Sequence, residues 1–495
     1  MKLSQLFAIY SSLKLGYQPM QEIDLLTRDS RQVTENSVYV AIRGNIVDGH
    51  QFLPEVCAKN AAGIVVEEDS LVPADYRGAV VIAENTRREL NVLADRFYRS
   101  PASQLFCVGV TGTNGKTSVT YLIESIFNEF GWKTGVMGTV DHHIGETSWK
   151  TSLTTPDAIE LNQRLREMVA LGAHAVAFEV SSHAIAQHRA EDIPFDAVVF
   201  TNLTRDHLDY HGDMESYFKT KQRLFFDILQ RSKKTARFAI VNVDDDYGRR
   251  LNVTSQAKWM SYGQNDAELN FHILESDFAG SRFFLQSPRG DQEFYLSIPG
   301  EHNVYNAAAA IGVALAAGIS LDVCAEALKK FVGVPGRLQP VYNNKGIHVF
   351  VDYAHTDDAL ASVLKSLETV RKKLVKRPKI LTLFGCGGDR DRGKRPLMLQ
   401  SAMKYSDLVV VTSDNPRTEN PESIIEDIVV NLDPKEKGSK VVVEVDRGEG
   451  IKTILSRAQK GDVVLIAGKG HEDYQIIGDT KYPFSDEQEV KKFFS

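Results

Sequence analysis

The chain has 495 residues, of which 43% are hydrophobic and 25% charged, and carries a formal net charge of −7. That length fits about three domains at roughly 150 residues each, and the composition is that of an ordinary globular protein. The acidic balance disfavours a nucleic-acid or membrane-surface protein, since both gather positive charge. The scattered Cys57, Cys107, Cys324 and Cys386 fit reduced thiols better than a disulfide framework or zinc site.

At the N-terminus, Leu3, Leu6, Phe7, Tyr10 and Leu13 recur at helical spacing. Ser4, Gln5, Ser11 and Ser12 interrupt the apolar run, so the pattern predicts an amphipathic helix, not a signal peptide. No run is long and apolar enough to cross a bilayer, and the chain is expected in the cytoplasm. Up to about Ser100, the β-rich runs "SVYVAI" and "AAGIVVEE" alternate with the polar turns "TRDSRQV" and "RGNIVDGH". This predicts a small α/β unit.

At "QLFCVGVTGTNGKTSVTYLIESIF" the pattern becomes strand, glycine-rich turn and long helix. Val119, Leu122, Ile123, Ile126, Phe127 and Phe130 form one apolar stripe, and Gly131 stands where a C-terminal cap is expected. The turn misses the usual phosphate-loop count. Only Thr113 and Asn114 separate Gly112 from Gly115, and Val110 occupies the first-glycine position. The physical needs of such a loop are nevertheless met. Glycines allow backbone N–H groups close to oxyanions, a helix N-terminus follows, Lys116 adds a charge, and Thr117 offers a hydroxyl to Mg²⁺.

Beyond it, short apolar runs end repeatedly in charged or glycine-rich turns. "HAVAFEV" leads into "SSHAIAQHR", "FDAVVFTNL" into "TRDHLDYHGD", "KILTLFG" into "CGGDRDRGKRP", "DLVVVTS" into "DNPRTENP" and "DVVLIAG" into "KGHEDYQ". Such runs suit parallel strands buried on both faces, and ligands of open α/β sheets bind beyond the strands' carboxyl ends. A boundary is expected at "FVGVPGRLQPVYNNKG", which is rich in proline and glycine. The predicted domains are 1–100, 101–335 and 336–495.

The short loop "TGTNGKTS" resembles that of the Mur ligase family, the ATP-dependent amide ligases that assemble the peptidoglycan stem peptide. The resemblance extends over nearly the whole chain through "TTPD", "EVSSHA", "TNLTRDHLDYHGDMESYFKTK", "EHNVYNAAAA", "VPGRLQ", "DYAHT", "GCGGDRDRGKRP", "DNPR" and "AGKGHEDYQ". It implies an α/β fold of three domains: a central P-loop-type parallel-sheet ATPase domain, a small N-terminal α/β domain that binds a UDP-sugar, and a C-terminal Rossmann-like α/β domain that binds the amino acid. It also implies a monomeric, ATP- and Mg²⁺-dependent ligase. Its substrates would be UDP-N-acetylmuramoyl-L-alanyl-D-glutamate and meso-diaminopimelate, joined through an acyl phosphate.

The resemblance assigns ATP to Gly112, Thr113, Asn114, Gly115, Lys116, Thr117 and Ser118, with Asn303 and Asn306 on the adenine side, Arg337 at phosphate and Asp352 at the ribose; His355 lies nearby. Thr117, Glu179, His207 and Lys221 would hold Mg²⁺, with Lys116, Glu179, His207 and Lys221 the catalytic set. Lys221 alone reads as an exposed helix lysine; the family carries a carbamylated lysine at the matching position. Ser30 matches a contact to the UDP part, and Thr154, Thr155, Ser181, Gln187 and Arg189 match contacts to the muramoyl dipeptide. Some relatives have Asn before the paired threonines, where this chain has Leu153. Diaminopimelate is assigned to Arg390, Asp414, Asn415, Pro416, Arg417, Gly468 and Glu472. A guanidinium grips a carboxylate with two parallel hydrogen bonds. Arg417 therefore favours diaminopimelate over L-lysine, whose far end carries only an ammonium. The competing readings are an L-lysine-adding ligase, a folate polyglutamylating enzyme, and a nucleotide-binding regulator without chemistry; a P-loop kinase is disfavoured because no catalytic-loop signature appears.

Overall fold

The computed structural model describes residues 1–10, 18–44, 47–151, 153–251 and 257–495. It divides into two compact units, Met1–Ala267 with Ala309–Ile319, and Glu268–Ala308 with Ser320–Ser495.

In the first unit, the β-rich N-terminal runs pair as a parallel sheet in the order β1 (Leu25–Thr27), β2 (Ser37–Val40), β3 (Gly63–Val66) and β4 (Ala79–Ile82). Every residue of β2 and β3 is buried, as expected of strands covered on both faces. The first helix is shorter than its spacing predicts and covers Leu3–Leu6. The amides of Leu3 and Ser4 donate to Gln21 and Pro19 carbonyls, and that of Ile23 to Met1, which ties this segment to residues 19–23. Leu3, Leu6 and Phe7 are fully buried all the same. Ser11, Ser12 and Leu13, with Asn45 and Ile46 of the "RGNIVDGH" turn, lie outside the described residues.

The larger sheet of this unit contains β5 (Phe106–Thr111), β6 (Thr134–Met137), β7 (His142–Ile144), β8 (Thr147–Trp149), β9 (Ala175–Glu179), β10 (Ala197–Phe200), β11 (Phe238–Asn242) and β12 (Lys258–Gly263). Among the described residues these run in the order β12-β11-β10-β5-β9-β6-β7-β8. They are parallel from β12 to β6, and the hairpin β7-β8 joins antiparallel. The helix Lys116–Glu129 buries Val119, Leu122, Ile123, Ile126 and Phe127, while Phe130 caps the helix and is exposed. Gly131 follows at φ 95°, with Trp132 N–H donating back to the Phe127 carbonyl. This is the glycine-terminated ending that the sequence predicts.

The second unit holds an antiparallel meander, β13 (Leu269–Ser276), β14 (Ser281–Ser287) and β15 (Gly290–Leu296). Its main sheet runs β16 (Gln339–Val341), β17 (His348–Asp352), β21 (Val463–Ala467), β18 (Ile380–Cys386), β19 (Leu408–Ser413) and β20 (Val441–Val443), parallel except for β16. A hairpin of β22 (Tyr474–Ile477) and β23 (Thr480–Pro483) follows β21. Alternate residues feed two cores: Phe350 and Leu465 enter one, Val349, Val351 and Ile466 the other. The continuous Val/Ile runs thus bury both faces, and the fold is the three-domain α/β architecture expected. All four cysteines are free and buried. Among the described residues, no helix is long and apolar enough to cross a membrane.

Candidate active site

The first cluster lies beyond the carboxyl ends of three adjacent strands, β9, β5 and β10. The loop after β5 needs its glycines: Gly112 takes φ 147° and Gly115 φ 86°, and a Cβ on Gly112 would sit 1.9 Å from Thr201 Oγ1. Two contacts from after β10 hold the loop's shape. Thr113 N–H donates to the Asn202 carbonyl at 2.9 Å, and Asn114 N–H to Asn202 Oδ1 at 2.9 Å. Lys116 Nζ folds back over the loop, donating to the carbonyls of Thr113 at 2.7 Å and Gly112 at 3.1 Å. Ser118 lies in the first turn of the loop helix.

Glu179 ends β9 with 1% exposure. Its Oε1 accepts from Thr117 Oγ1 at 2.9 Å and Thr139 N–H at 2.8 Å, and its Oε2 from Thr139 Oγ1 at 3.1 Å. Thr139 went unassigned in the sequence because nothing local marks it; its contact with Glu179 spans forty residues. The expected dipeptide contacts gather here. Thr155 Oγ1 donates to the Glu179 carbonyl at 2.7 Å and accepts from Ser181 N–H at 3.2 Å. Thr154 Oγ1 meets Thr139 Oγ1 at 3.2 Å. Arg189 donates to the Thr155 carbonyl at 2.9 Å and to Gln187 Oε1 at 3.2 Å. Arg28, from the same "TRDS" stretch as buried Ser30, bonds Asp157 at 2.8 Å. A cavity of about 80 Å³ is lined in part by Arg28, Leu153, Gln187 and Arg189. At position 153 the cavity therefore meets an apolar side chain.

Lys221 is 1% exposed, contrary to the isolated reading of a surface lysine. Its Nζ donates to the Gly112 carbonyl at 2.9 Å and to Thr111 Oγ1 at 3.4 Å, and lies 4.8 Å from the Tyr217 ring centroid. Among the described residues, no carboxylate stands within ion-pair distance of it. Burial holds its amine well below the ordinary lysine range, and the charge of Lys116 pushes the same way. Asp206 opposes the shift only in part, and a buried amine beside a phosphate loop is compatible with conversion to an anionic carbamate, which requires the neutral amine. His207 sits at φ 52° with its ring 4.9 Å from that of His183. Thr117 and Glu179 are thus in direct contact, while His207 and Lys221 share a neighbour in Tyr217, 6.1 Å and 4.8 Å away. Among the described residues, no group of three or more His, Cys, Asp or Glu is arranged to hold a metal.

In the second unit, β17, β21, β18 and β19 again end on one edge. Asp352 closes β17, its carboxylate accepting from the amides of Leu338 at 2.6 Å and Ala354 at 2.8 Å. Burial raises its carboxyl, although those bonds oppose the shift. Arg337 lies over Tyr353, and His355 Nδ1 lies 2.9 Å from the Tyr353 carbonyl. Asn303 and Asn306 are buried; Asn303 Nδ2 donates to the Pro299 carbonyl at 2.7 Å and Asn306 Nδ2 to Asn303 Oδ1 at 3.3 Å.

The residues assigned to the amino acid converge. Arg417 takes φ 52° and donates through Nη1 to the Gly388 carbonyl at 2.8 Å, while the Gly388 amide donates to the Asn415 carbonyl at 2.9 Å. A Cβ on Gly388 would come within 1.9 Å of the Pro416 carbonyl oxygen. Arg390 is exposed beside them. Lys469, which the sequence reading passed over inside "AGKGHE", is fully buried. Its Nζ reaches Asp414 Oδ1 at 3.3 Å, Asn415 Oδ1 at 3.1 Å and Glu472 Oε2 at 3.2 Å. Gly468 precedes it at φ 116°.

A phosphate loop at the edge of a parallel sheet, with a buried acid on its threonine, defines an α/β enzyme of the nucleotide-binding class. Family models match residues 22–98 (Mur ligase family, catalytic domain), 110–314 (Mur ligase middle domain) and 336–470 (Mur ligase, glutamate ligase domain). The UDP-N-acetylmuramoyl-L-alanyl-D-glutamate–2,6-diaminopimelate ligase of Aquifex aeolicus (strain VF5) is 43% identical over 473 residues, 96% of this chain and 94% of that one. The ligase of the same name from Geobacter sulfurreducens (strain ATCC 51573 / DSM 12127 / PCA) is 40% identical over 99% of this chain and 98% of its own. A solved structure of a ligase of that name superposes with a TM-score of 0.73 at 33% identity, covering 100% of this chain and 98% of that chain. The chain belongs to the Mur ligase family.

Proposed function

We propose that the chain joins meso-diaminopimelate to UDP-N-acetylmuramoyl-L-alanyl-D-glutamate, coupled to ATP cleavage, as a cytoplasmic monomer in peptidoglycan precursor synthesis. The near-full-length likeness to relatives named for that reaction supports the ligase reading. The observation that carries the choice of amine is Arg417, fixed on Gly388 among Asn415, Lys469 and Glu472. A solved Mur ligase in complex with ADP, from Thermotoga maritima, shares the fold with a TM-score of 0.57. Domain boundaries near residues 100 and 335 separate the UDP-sugar, ATP and amino-acid parts.

In this reading the loop amides and Lys116 hold the phosphates. Thr117, Glu179, His207 and carbamylated Lys221 hold Mg²⁺, which when bound neutralises phosphate charge. Thr154, Thr155, Ser181, Gln187 and Arg189 hold the dipeptide, so that its reacting carboxylate attacks the γ-phosphorus and ADP departs. The amine then attacks the acyl phosphate carbonyl, inorganic phosphate leaves, and the nitrogen loses its proton. Exclusion of water protects the acyl phosphate. The test is oxygen transfer: with ¹⁸O in the reacting carboxylate, one labelled oxygen is expected in the released phosphate. Unlabelled phosphate rules out the acyl phosphate.

A further inference from the structure

The two arginines assigned to the amino-acid substrate stand on separate loops, Arg390 after β18 and Arg417 after β19. A carboxylate outside the assigned set joins those loops. Glu419 Oε1 accepts from Asp389 N–H at 2.6 Å and Arg395 Nη2 at 2.8 Å, while Oε2 accepts from Arg392 Nη2 at 3.0 Å and Arg395 Nη1 at 3.1 Å. The Arg395 side chain is 0% exposed and also bonds Asp427 at 2.8 Å, whereas that of Glu419 is 14% exposed. Thr418 adds a second tie, its Oγ1 donating to Asp389 Oδ1 at 2.8 Å.

This joint holds two residues in an uncommon backbone state. Asp389 takes φ 54° and Arg417 φ 52°. Left-handed conformations of non-glycine residues are strained and persist only where neighbours fix them. The bond from Asp389 N–H to Glu419 fixes the first, and the Arg417–Gly388 bond fixes the second against the same loop. Bidentate guanidinium–carboxylate pairs are among the stronger hydrogen-bonded contacts and constrain direction as well as distance. Recognition of a carboxylate by a fork is correspondingly sensitive to placement.

We propose that Glu419 is a positioning residue for amino-acid selection: it sets the placement of Arg390 and Arg417, and with it the preference for an amine bearing a far-end carboxylate. The inference rests on the reading above that Arg417 grips that carboxylate. In this role Glu419 acts through the two arginines and not by contact with the substrate.

The test compares Glu419→Gln, the milder Arg392→Gln and, as reference, Arg417→Lys, measuring KM for each substrate, the ratio of kcat/KM for meso-diaminopimelate over L-lysine, and Tm. For Glu419→Gln the KM for diaminopimelate is expected to rise about tenfold, as for loss of one charge-assisted bond. The diaminopimelate-to-lysine ratio should fall by a similar factor, with the KM for ATP and the UDP-sugar dipeptide within about twofold. Arg392→Gln removes an exposed contact and should raise the diaminopimelate KM only about threefold. If Arg417→Lys is impaired while both other variants keep wild-type KM and preference, the inference is wrong. It is equally wrong if all three KM values and Tm deteriorate together in Glu419→Gln, which marks a general structural role. If Arg417→Lys also leaves diaminopimelate KM unchanged, the substrate reading fails first.

Discussion

Thr117 Oγ1 and Glu179 Oε1 are joined at 2.9 Å between the first turn of the loop helix and the end of β9. The threonine expected to face the nucleotide's metal thereby shares an acid with the turn that carries Thr139. Replacing Glu179 by Gln keeps the shape and one acceptor but removes the charge. We expect kcat to fall on the order of 100-fold, the scale of losing one electrostatic stabiliser at a reacting centre, with half-maximal activity displaced to higher Mg²⁺. Titration of activity with Mg²⁺ checks both; an unchanged Mg²⁺ curve contradicts the assignment.

Burial of Lys221 beside Lys116 keeps its amine neutral more readily than an exposed lysine, which is the form that reacts with CO₂. Activity should therefore decline when CO₂ and bicarbonate are stripped and recover when bicarbonate returns. A carbamate signal should appear by ¹³C NMR with labelled bicarbonate. Lys221→Ala should lose most activity. Near-normal turnover of that variant would remove Lys221 from the catalytic set.

His142 and His143 are neighbours on β7 whose imidazoles are shifted in opposite directions. Burial alone would depress His143, but its bonds to Asp141 at 2.7 Å and Glu124 at 3.1 Å outweigh that and raise it to about 10. Burial, aided by the charge of Arg164, lowers His142 to about 4. The stabilisation from His143 is fully present below the unfolded value of about 6.5 and is lost as pH rises toward about 10. His142 acts in the other direction: the unfolded chain takes the proton first, so stability falls as pH drops from about 6.5 to about 4. Tm measured against pH should flatten on its alkaline limb in His143→Gln and on its acid limb in His142→Leu.

Arg447 and Asp486 form a bidentate pair at 2.7 Å with both side chains 0% exposed. Arg447 also donates to the Ala467 carbonyl, just before Gly468. Arg447→Met strands a buried carboxylate and should cost about 3–5 kcal/mol in denaturant unfolding. The double variant Arg447→Met/Asp486→Leu should recover most of that loss.

The strand ends and their polar turns were legible in the sequence because Val/Ile runs closing on charged or glycine-rich turns mark buried parallel strands. The phosphate loop was legible although its spacing misses the usual count, because glycines, a lysine and a threonine stand together between a strand and a helix. The burial of Lys221 was not, because it depends on β5 passing over the far end of its helix, 110 residues away. Lys469 and Glu419 carry no local signal, because their surroundings arise only when folding sets three anion-bearing or polar groups around one and two arginines around the other. The short first helix likewise reflects backbone bonds to residues 19–23 that no apolar period records.

Phosphate release with ATP, Mg²⁺ and UDP-N-acetylmuramoyl-L-alanyl-D-glutamate, comparing meso-diaminopimelate with L-lysine and identifying the product by mass, tests the proposed reaction and its choice of amine together. Release with diaminopimelate, together with the matching tripeptide and little response to lysine, is the predicted result. Release with lysine alone would keep the ligase and overturn the role given to Arg417, and silence with both amines would contradict the account.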